Sequence, residues 1–245
     1  MRIAIAGGTG TIGRKIVAAT RAAGHDSVVL ARTAGVDLRT GEGVDAALDG
    51  VDAIVDAVSV PTLDARTATA FYEATTATLL RAVSRHGIRH LLTLSIVGVD
   101  RNPAGYYAGK LAQEQQVVAS DAPWTILRAT QFHEFAGQVA AQSRLGPIQF
   151  APRARVQPVS AAALAGHLVS LVAAGAQGRA ADVTGPREES LAEMIRAQVR
   201  RDGRRGPVVA LSVPNAQMRG MRAGLNLPGP DALRIGPSFA DWLSA

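Results

Sequence analysis

Tyr106 and Lys110 stand four residues apart, and Ser95 precedes the tyrosine by eleven. On a helix, positions four apart share a face, so the amine is expected beside the phenol. A cation there lowers the phenol's pKa toward the range in which it exchanges a proton. Ser95 closes an apolar, strand-like run, from which its hydroxyl could bond a carbonyl oxygen that gains charge. The chemistry these three residues suit is proton delivery to a carbonyl that is being reduced. The choice of lysine adds weight, because only Lys15 and Lys110 are lysines among 26 basic residues. A chain that otherwise uses Arg has kept a compact ammonium at 110.

A second motif lies near the start. Gly7-Gly8-Thr9-Gly10-Thr11-Ile12-Gly13 falls between a β-rich run, Arg2–Ala6, and a helical pattern, Ile12–Ala23, ended by Gly24. Glycines there permit a tight turn and close approach of a pyrophosphate, and the helix N-terminus offers free N–H groups and a partial positive charge. Gly7, Thr9, Gly10, Thr11, Ile12 and Gly13 are therefore candidate cofactor contacts. No Gly-Lys-Ser/Thr follows, which removes the Walker alternative. Where an NAD site usually carries an acid, after the second strand, the chain reads Leu30-Ala31-Arg32-Thr33. Arg32 suits a 2′-phosphate by a charge-assisted fork and Thr33 can add a hydroxyl, so NADP(H) is the expected cofactor.

The elements that must position these residues follow the alternation of a parallel sheet with crossover helices. Strands are expected at Arg2–Ala6, Ser27–Ala31, a short stretch ending near Val36, Ala53–Val58, Leu91–Ser95 and Trp124–Leu127. Helices are expected near Asp64–His86, Tyr106–Ser120, Ala161–Ala174 and Leu191–Arg201. The fold class is α/β, a Rossmann-type doubly wound parallel sheet with a small C-terminal substrate lobe. The division is expected at 1–130 for the NADP-binding core and 131–245 for the lobe.

Composition sets bounds. At 47% hydrophobic and 19% charged residues the chain reads as globular, and the absence of cysteine removes disulfides, thiolate zinc sites and cysteine nucleophiles. The chain opens straight into its glycines, without the apolar region of a signal peptide. Its most apolar later stretch, from 161 to 176, is interrupted by His167 and Ser170 and falls short of the roughly 20 residues of a membrane span. A cytoplasmic location with no membrane partner is expected. The net charge of +6 comes from scattered arginines, and the cluster Arg200-Arg201-Asp202-Gly203-Arg204-Arg205 has no aromatic residue to stack a base. No nucleic-acid partner is expected. His133 and Glu134 fall where substrate would enter, but one His–Glu pair is not a metal site, and no metal is expected. Glu114 is expected to form a helical ion pair with Lys110, worth on the order of 0.2–0.5 kcal/mol.

Together these features resemble the short-chain dehydrogenase/reductase superfamily, in particular its atypical, NmrA-like branch. The resembling stretches are Ala6–Gly13, Leu94–Asp100, Tyr106–Glu114 and Pro123–Phe132, and the similarity fades after about residue 135. The resemblance implies that Asp37 and Leu38 lie along the adenine and that Ala57, Val58 and Ser59 line the ribose side. It places Ser95, Tyr106 and Lys110 at the family's catalytic positions, Lys110 also holding the nicotinamide ribose. Two departures stand out. The long helix has no Asn near Tyr72–Thr78, and the family's frequent Arg-Pro is here Arg128-Ala129. The expected function is an NADPH-dependent oxidoreductase acting on a small carbonyl, quinone or polyketide-like substrate. The alternative is a non-catalytic NADP(H)-sensing regulator of the NmrA type.

Overall fold

The computed structural model describes all 245 residues. The first half runs β1 (Arg2–Ala6), α1 (Thr11–Ala22), β2 (Asp26–Leu30), a short α2 (Val44–Ala47), β3 (Ala53–Asp56), α3 (Ala65–His86), β4 (His90–Ile96), α4 (Tyr106–Val118) and β5 (Trp124–Ala129). The second half adds α5 (Phe135–Gln142), β6 (Arg144–Leu145), β7 (Ile148–Pro152), β8 (Arg155–Val156), α6 (Ala161–Ala174), β9 (Gly178–Arg179), β10 (Val183–Thr184) and β11 (Glu189–Ser190). It closes with α7 (Leu191–Arg201), β12 (Val208–Leu211), α8 (Ala216–Arg222), β13 (Leu233–Arg234) and α9 (Phe239–Ser244).

The main sheet has the order β13-β10-β5-β4-β3-β1-β2, with β9 also paired to β5. Every pairing in it is parallel. Strands buried on both faces must be apolar at successive positions, and β1 shows why. Ile3 and Ile5 join a core with Ile12 and Ile16 of α1 and Leu164 and Leu168 of α6. Ala4 and Ala6 join the opposite core with Tyr72 and Leu79 of α3 and Val117 of α4. The strand order reverses at β1, with β2 added on one side and β3 on the other, which puts a crevice at the carboxyl ends of β1 and β3, where such sheets bind ligands.

Helix boundaries follow local chemistry. Asp64 caps α3 by accepting the Thr67 N–H at 2.7 Å, and Gly87, at φ +62°, ends it in the left-handed region. Ser160 caps α6 through the Ala163 N–H.

One expectation is corrected. No strand ends near Val36. Arg32–Ala34 form a 3₁₀ turn, Gly35 takes a left-handed conformation, and Asp37 meets Glu42 in an isolated bridge. Glycines at 35, 41 and 43, all with positive φ, curl this stretch away from the sheet. The apolar α6 covers the face beside α1, and β9, β10 and β13 extend the sheet beyond β5. The lobe itself gathers α5, α7 and parts of α8 and α9 around a third core that includes Ala136, Met194, Ile195, Met221 and Phe239. No helix is long and apolar enough to cross a membrane.

Candidate functional site

The glycine loop is shaped by backbone contacts that leave no room for side chains. A Cβ on Gly13 would lie 2.0 Å from the Gly7 carbonyl oxygen, and one on Gly7 would meet the Ala57 carbonyl at 2.8 Å. Gly7 also needs its positive φ of +75°. The first intrahelical bond of α1 runs from the Arg14 N–H to the Gly10 carbonyl, so the amides of Thr11, Ile12 and Gly13 precede it. Gly10 supplies no side-chain cap, and no acid sits in the first turn. That cradle fits a diphosphate: uncapped amides, the positive end of a dipole and no repelling carboxylate.

The Gly7 N–H donates to the Leu30 carbonyl at 3.1 Å, which fixes the loop against the end of β2. Arg32 and Thr33 follow at once in the 3₁₀ turn, both exposed. Asp37 accepts the Arg39 N–H at 2.8 Å and so shapes its own turn, while Leu38 is buried. Ala57 and Val58 are buried at the end of β3, where the Ala57 N–H donates to the Ala6 carbonyl at 3.0 Å, and Ser59 is exposed. Two loop contacts escaped the sequence reading. Arg14 Nη1 donates to the Thr9 carbonyl at 2.5 Å, and Gln138 Nε2 reaches from α5 to Thr11 Oγ1 at 3.1 Å. Neither carried a signal, since both are ordinary polar residues on helices.

The Ser95, Tyr106 and Lys110 set is arranged differently from the expectation. The Tyr106 hydroxyl bonds the Tyr72 hydroxyl at 2.5 Å, and the Tyr72 hydroxyl donates to the Val58 carbonyl at 3.2 Å. No hydrogen bond joins Tyr106 to Lys110. Lys110 Nζ donates instead to the Leu94 carbonyl at 2.5 Å and to Gln113 Oε1, and it lies 4.8 Å from the Tyr72 ring centroid. Gln113 Nε2 in turn donates to Asp56 Oδ2 at 2.8 Å. Asp56, Lys110 and Gln113 are all buried. A buried ammonium must find acceptors and an opposite charge, and the interior on the β3 side supplies both.

The electrostatics follow. Burial pushes Tyr106 up to about 12, partly offset by the bond to Tyr72, with Tyr107 and Asp56 adding to the rise. The expected lowering by Lys110 is therefore not seen. Burial brings Lys110 down to about 8, while Asp56 and Glu114 hold it higher than burial alone would. Burial raises Asp56, countered by Lys110, the Val58 N–H and Gln113. Asp56 had one sequence signal, an acid inside an otherwise apolar strand. Tyr72 and Gln113 had none beyond helix position.

Ser95 is buried on β4 with its hydroxyl unpartnered, beside the Glu114 carboxylate. Glu114 does not pair with Lys110 as expected. Arg128 grips both its oxygens, at 2.9 and 2.8 Å, and Arg179 adds a bond at 3.0 Å. Burial works to raise Glu114, yet Arg128 leads the groups that hold it below the usual carboxylate range. The two-pronged guanidinium outcompetes a lysine on the same helix. His133 is fully buried, its Nε2 at 3.1 Å from the Pro237 carbonyl and its ring against Phe239 and Trp242. It ties the C-terminal segment to the lobe. Tyr107, next to Tyr106, accepts a bond from Gln131 Nε2 at 3.3 Å, and Gln131 Oε1 is buried without a partner.

Residues 7–172 match the model of a family described as NAD(P)H-binding. No curated protein matches the chain in sequence. Solved structures share the fold at low identity. The NADPH-dependent quinone oxidoreductase of Escherichia coli, complexed with NADPH, is 17% identical with a TM-score of 0.73, covering 99% of this chain and 98% of that one. The dTDP-4-dehydrorhamnose reductase of Bacillus anthracis, in complex with NADP, is 16% identical with a TM-score of 0.74, covering 99% and 97%. The UDP-glucose 4-epimerase of Thermus thermophilus, in complex with NAD, is 16% identical with a TM-score of 0.70, covering 97% and 91%. The Rossmann-type α/β fold expected from the sequence is thus the fold of reductases and epimerases that use either cofactor. With a glycine cradle for a diphosphate and a family model spanning most of its length, this chain belongs to the NAD(P)H-binding family.

Proposed function

We propose that the protein is an NADPH-dependent reductase of the atypical short-chain type, delivering hydride to a small carbonyl, quinone or polyketide-like substrate. One observation carries the reading: a continuous run of contacts leads from the phosphate loop to a phenol. Gly7 abuts Ala57, the next residue's carbonyl accepts from Tyr72, and Tyr72 bonds Tyr106. A bound reduced nicotinamide supplies the hydride. Arg32 and Thr33 stand ready for a 2′-phosphate, and the amides of Thr11 to Gly13 for the diphosphate. Tyr106 holds the proton that a reduced carbonyl oxygen needs, and Lys110 holds the polar interior behind it. The nicotinamide-ribose role of Lys110 requires the ammonium to exchange one of its present acceptors for a ribose hydroxyl. Of the fold's neighbours, the quinone oxidoreductase and the dTDP-4-dehydrorhamnose reductase carry out chemistry of this class by name.

The NmrA-type sensor remains the second reading because Tyr106 and Lys110 do not touch. Turnover separates the two. NADPH oxidation is followed with a panel of small quinones and ketones, using the parent and Tyr106→Phe. The reductase reading expects turnover by the parent and a loss of at least ~100-fold in the variant, the lower range for a positioned acid or base. Cofactor affinity should stay within a few-fold. Equal turnover by both proteins contradicts the assignment of Tyr106.

A further inference from the structure

A phenol has one proton to donate, and two phenols with one carbonyl acceptor make a countable system. Tyr72 donates its proton to the Val58 carbonyl at 3.2 Å. The 2.5 Å bond between the phenols must then carry the proton of Tyr106, directed inward. In this arrangement Tyr106 can accept a bond from a ligand but has no proton to offer one. Donation outward requires the Tyr72 O–H to turn from the Val58 carbonyl to the Tyr106 oxygen.

We infer that Tyr72 is the positioning residue for proton transfer: its O–H swings onto Tyr106 and holds the phenolate left when Tyr106 protonates substrate. The inference rests on the reductase reading for its use in turnover, and on geometry alone for the hydrogen bond. The step balances. The nicotinamide is oxidised as hydride bonds to the carbonyl carbon, and the Tyr106 O–H bond breaks as an O–H bond forms on the carbonyl oxygen. The negative charge rests on Tyr106, now accepting from Tyr72. Val58 loses that donor during the step.

The surroundings favour this direction. Tyr72 is fully buried, whereas Tyr106 is partly exposed, so the inner phenol is the costlier one to ionise. Burial, Tyr106 and Asp56 all push Tyr72 well above the ordinary range, while the shared bond lowers Tyr106. The Lys110 ammonium sits over the Tyr72 ring and draws on its electron density, which strengthens Tyr72 as a donor. Lys110 therefore acts on Tyr106 through Tyr72. The ionisable groups around the pair are Asp56 from β3 and Tyr107 and Lys110 from α4, and of these groups Glu114 acts on Lys110 alone.

The test replaces residue 106 by 3,5-difluorotyrosine, whose acidic phenol titrates where the protein stays folded. Its ionisation is read by fluorine NMR in cofactor-free protein, with Tyr72 present and with Tyr72→Phe. The substitution keeps the buried ring and removes one oxygen, and a thermal midpoint within a few degrees confirms the fold. The expected result is a rise of at least ~1 pH unit in the ionisation of residue 106, about 1.4 kcal/mol of lost phenolate stabilisation. With natural Tyr106, Tyr72→Phe should also lower kcat at least ~10-fold while KM and NADPH affinity hold, a lost hydrogen bond to a charged group. An unchanged or lowered ionisation overturns the inference, whatever the enzyme reduces. Failure of the reductase reading shows separately, as no NADPH oxidation by the parent protein with any of the quinones and ketones.

Discussion

The glycine loop and the polar cluster behind Tyr106 lie on neighbouring strands but are built in opposite ways. The loop is backbone throughout. Its shape depends on missing side chains, its groups come from seven consecutive residues, and its charge is a helix dipole. The cluster is side chain throughout. Asp56, Tyr72, Tyr106, Lys110 and Gln113 come from β3, α3 and α4, and each has a partner distant in sequence. A local device can be broken by adding an atom. A distributed one is broken by removing a partner, which strands a buried charge.

The largest effect is expected in the cluster. Asp56→Ala removes the carboxylate that supports a buried ammonium, and unfolding free energy should fall by about 3–5 kcal/mol. Chemical denaturation measures it, and a loss below about 1 kcal/mol would mean that Gln113 and the Leu94 carbonyl suffice. In the loop, Gly13→Ala forces a Cβ onto the Gly7 carbonyl, and NADPH affinity should fall at least ~100-fold, about 2.7 kcal/mol. Calorimetry on the folded variant would show this, and retained affinity would place the diphosphate elsewhere. A smaller loss concerns choice of cofactor. The parent should bind NADPH at least ~10-fold more tightly than NADH, and Arg32→Glu should erase the preference.

The smallest effect tests a site outside both regions. His90 is buried between Thr125 Oγ1, at 2.8 Å, and the Val172 carbonyl, and burial lowers its pKa. The unfolded chain therefore takes up this proton first as pH falls. Stability should be intact above about 6.5, the unfolded value, and decline as pH drops below it toward the folded value. Thermal midpoints from pH 8 to pH 5, compared between the parent and His90→Gln, measure the slope. A parent curve no steeper than the variant's would assign any decline to other groups.

How far the sequence could be read follows the same line. Gly7, Gly10 and Gly13 announce their loop because glycine spacing and the flanking strand and helix are local. The helices α6 and α7 were legible for the same reason, each a continuous helical pattern in neighbouring residues. The strand expected near Val36 failed because three glycines with positive φ overrode a short apolar run. The i, i+4 spacing correctly put Tyr106 and Lys110 on one helix, but not in contact. Where a long side chain turns is set by acceptors on other strands, here the Leu94 carbonyl and the Asp56–Gln113 pair. Glu114 went to Arg128 on β5 for a like reason, a partner fourteen residues away and invisible to helical spacing.

If one bound cofactor spans both regions, a crystal structure with NADP⁺ will show it. The 2′-phosphate should lie on Arg32, the diphosphate on the amides of Thr11 to Gly13, and the nicotinamide ring should face Tyr106. A carbonyl placed between ring and phenol should then sit within roughly 3–3.5 Å of each, the spacing of reacting groups. A cofactor bound in the reverse sense, or one whose nicotinamide lies away from Tyr106, would contradict it.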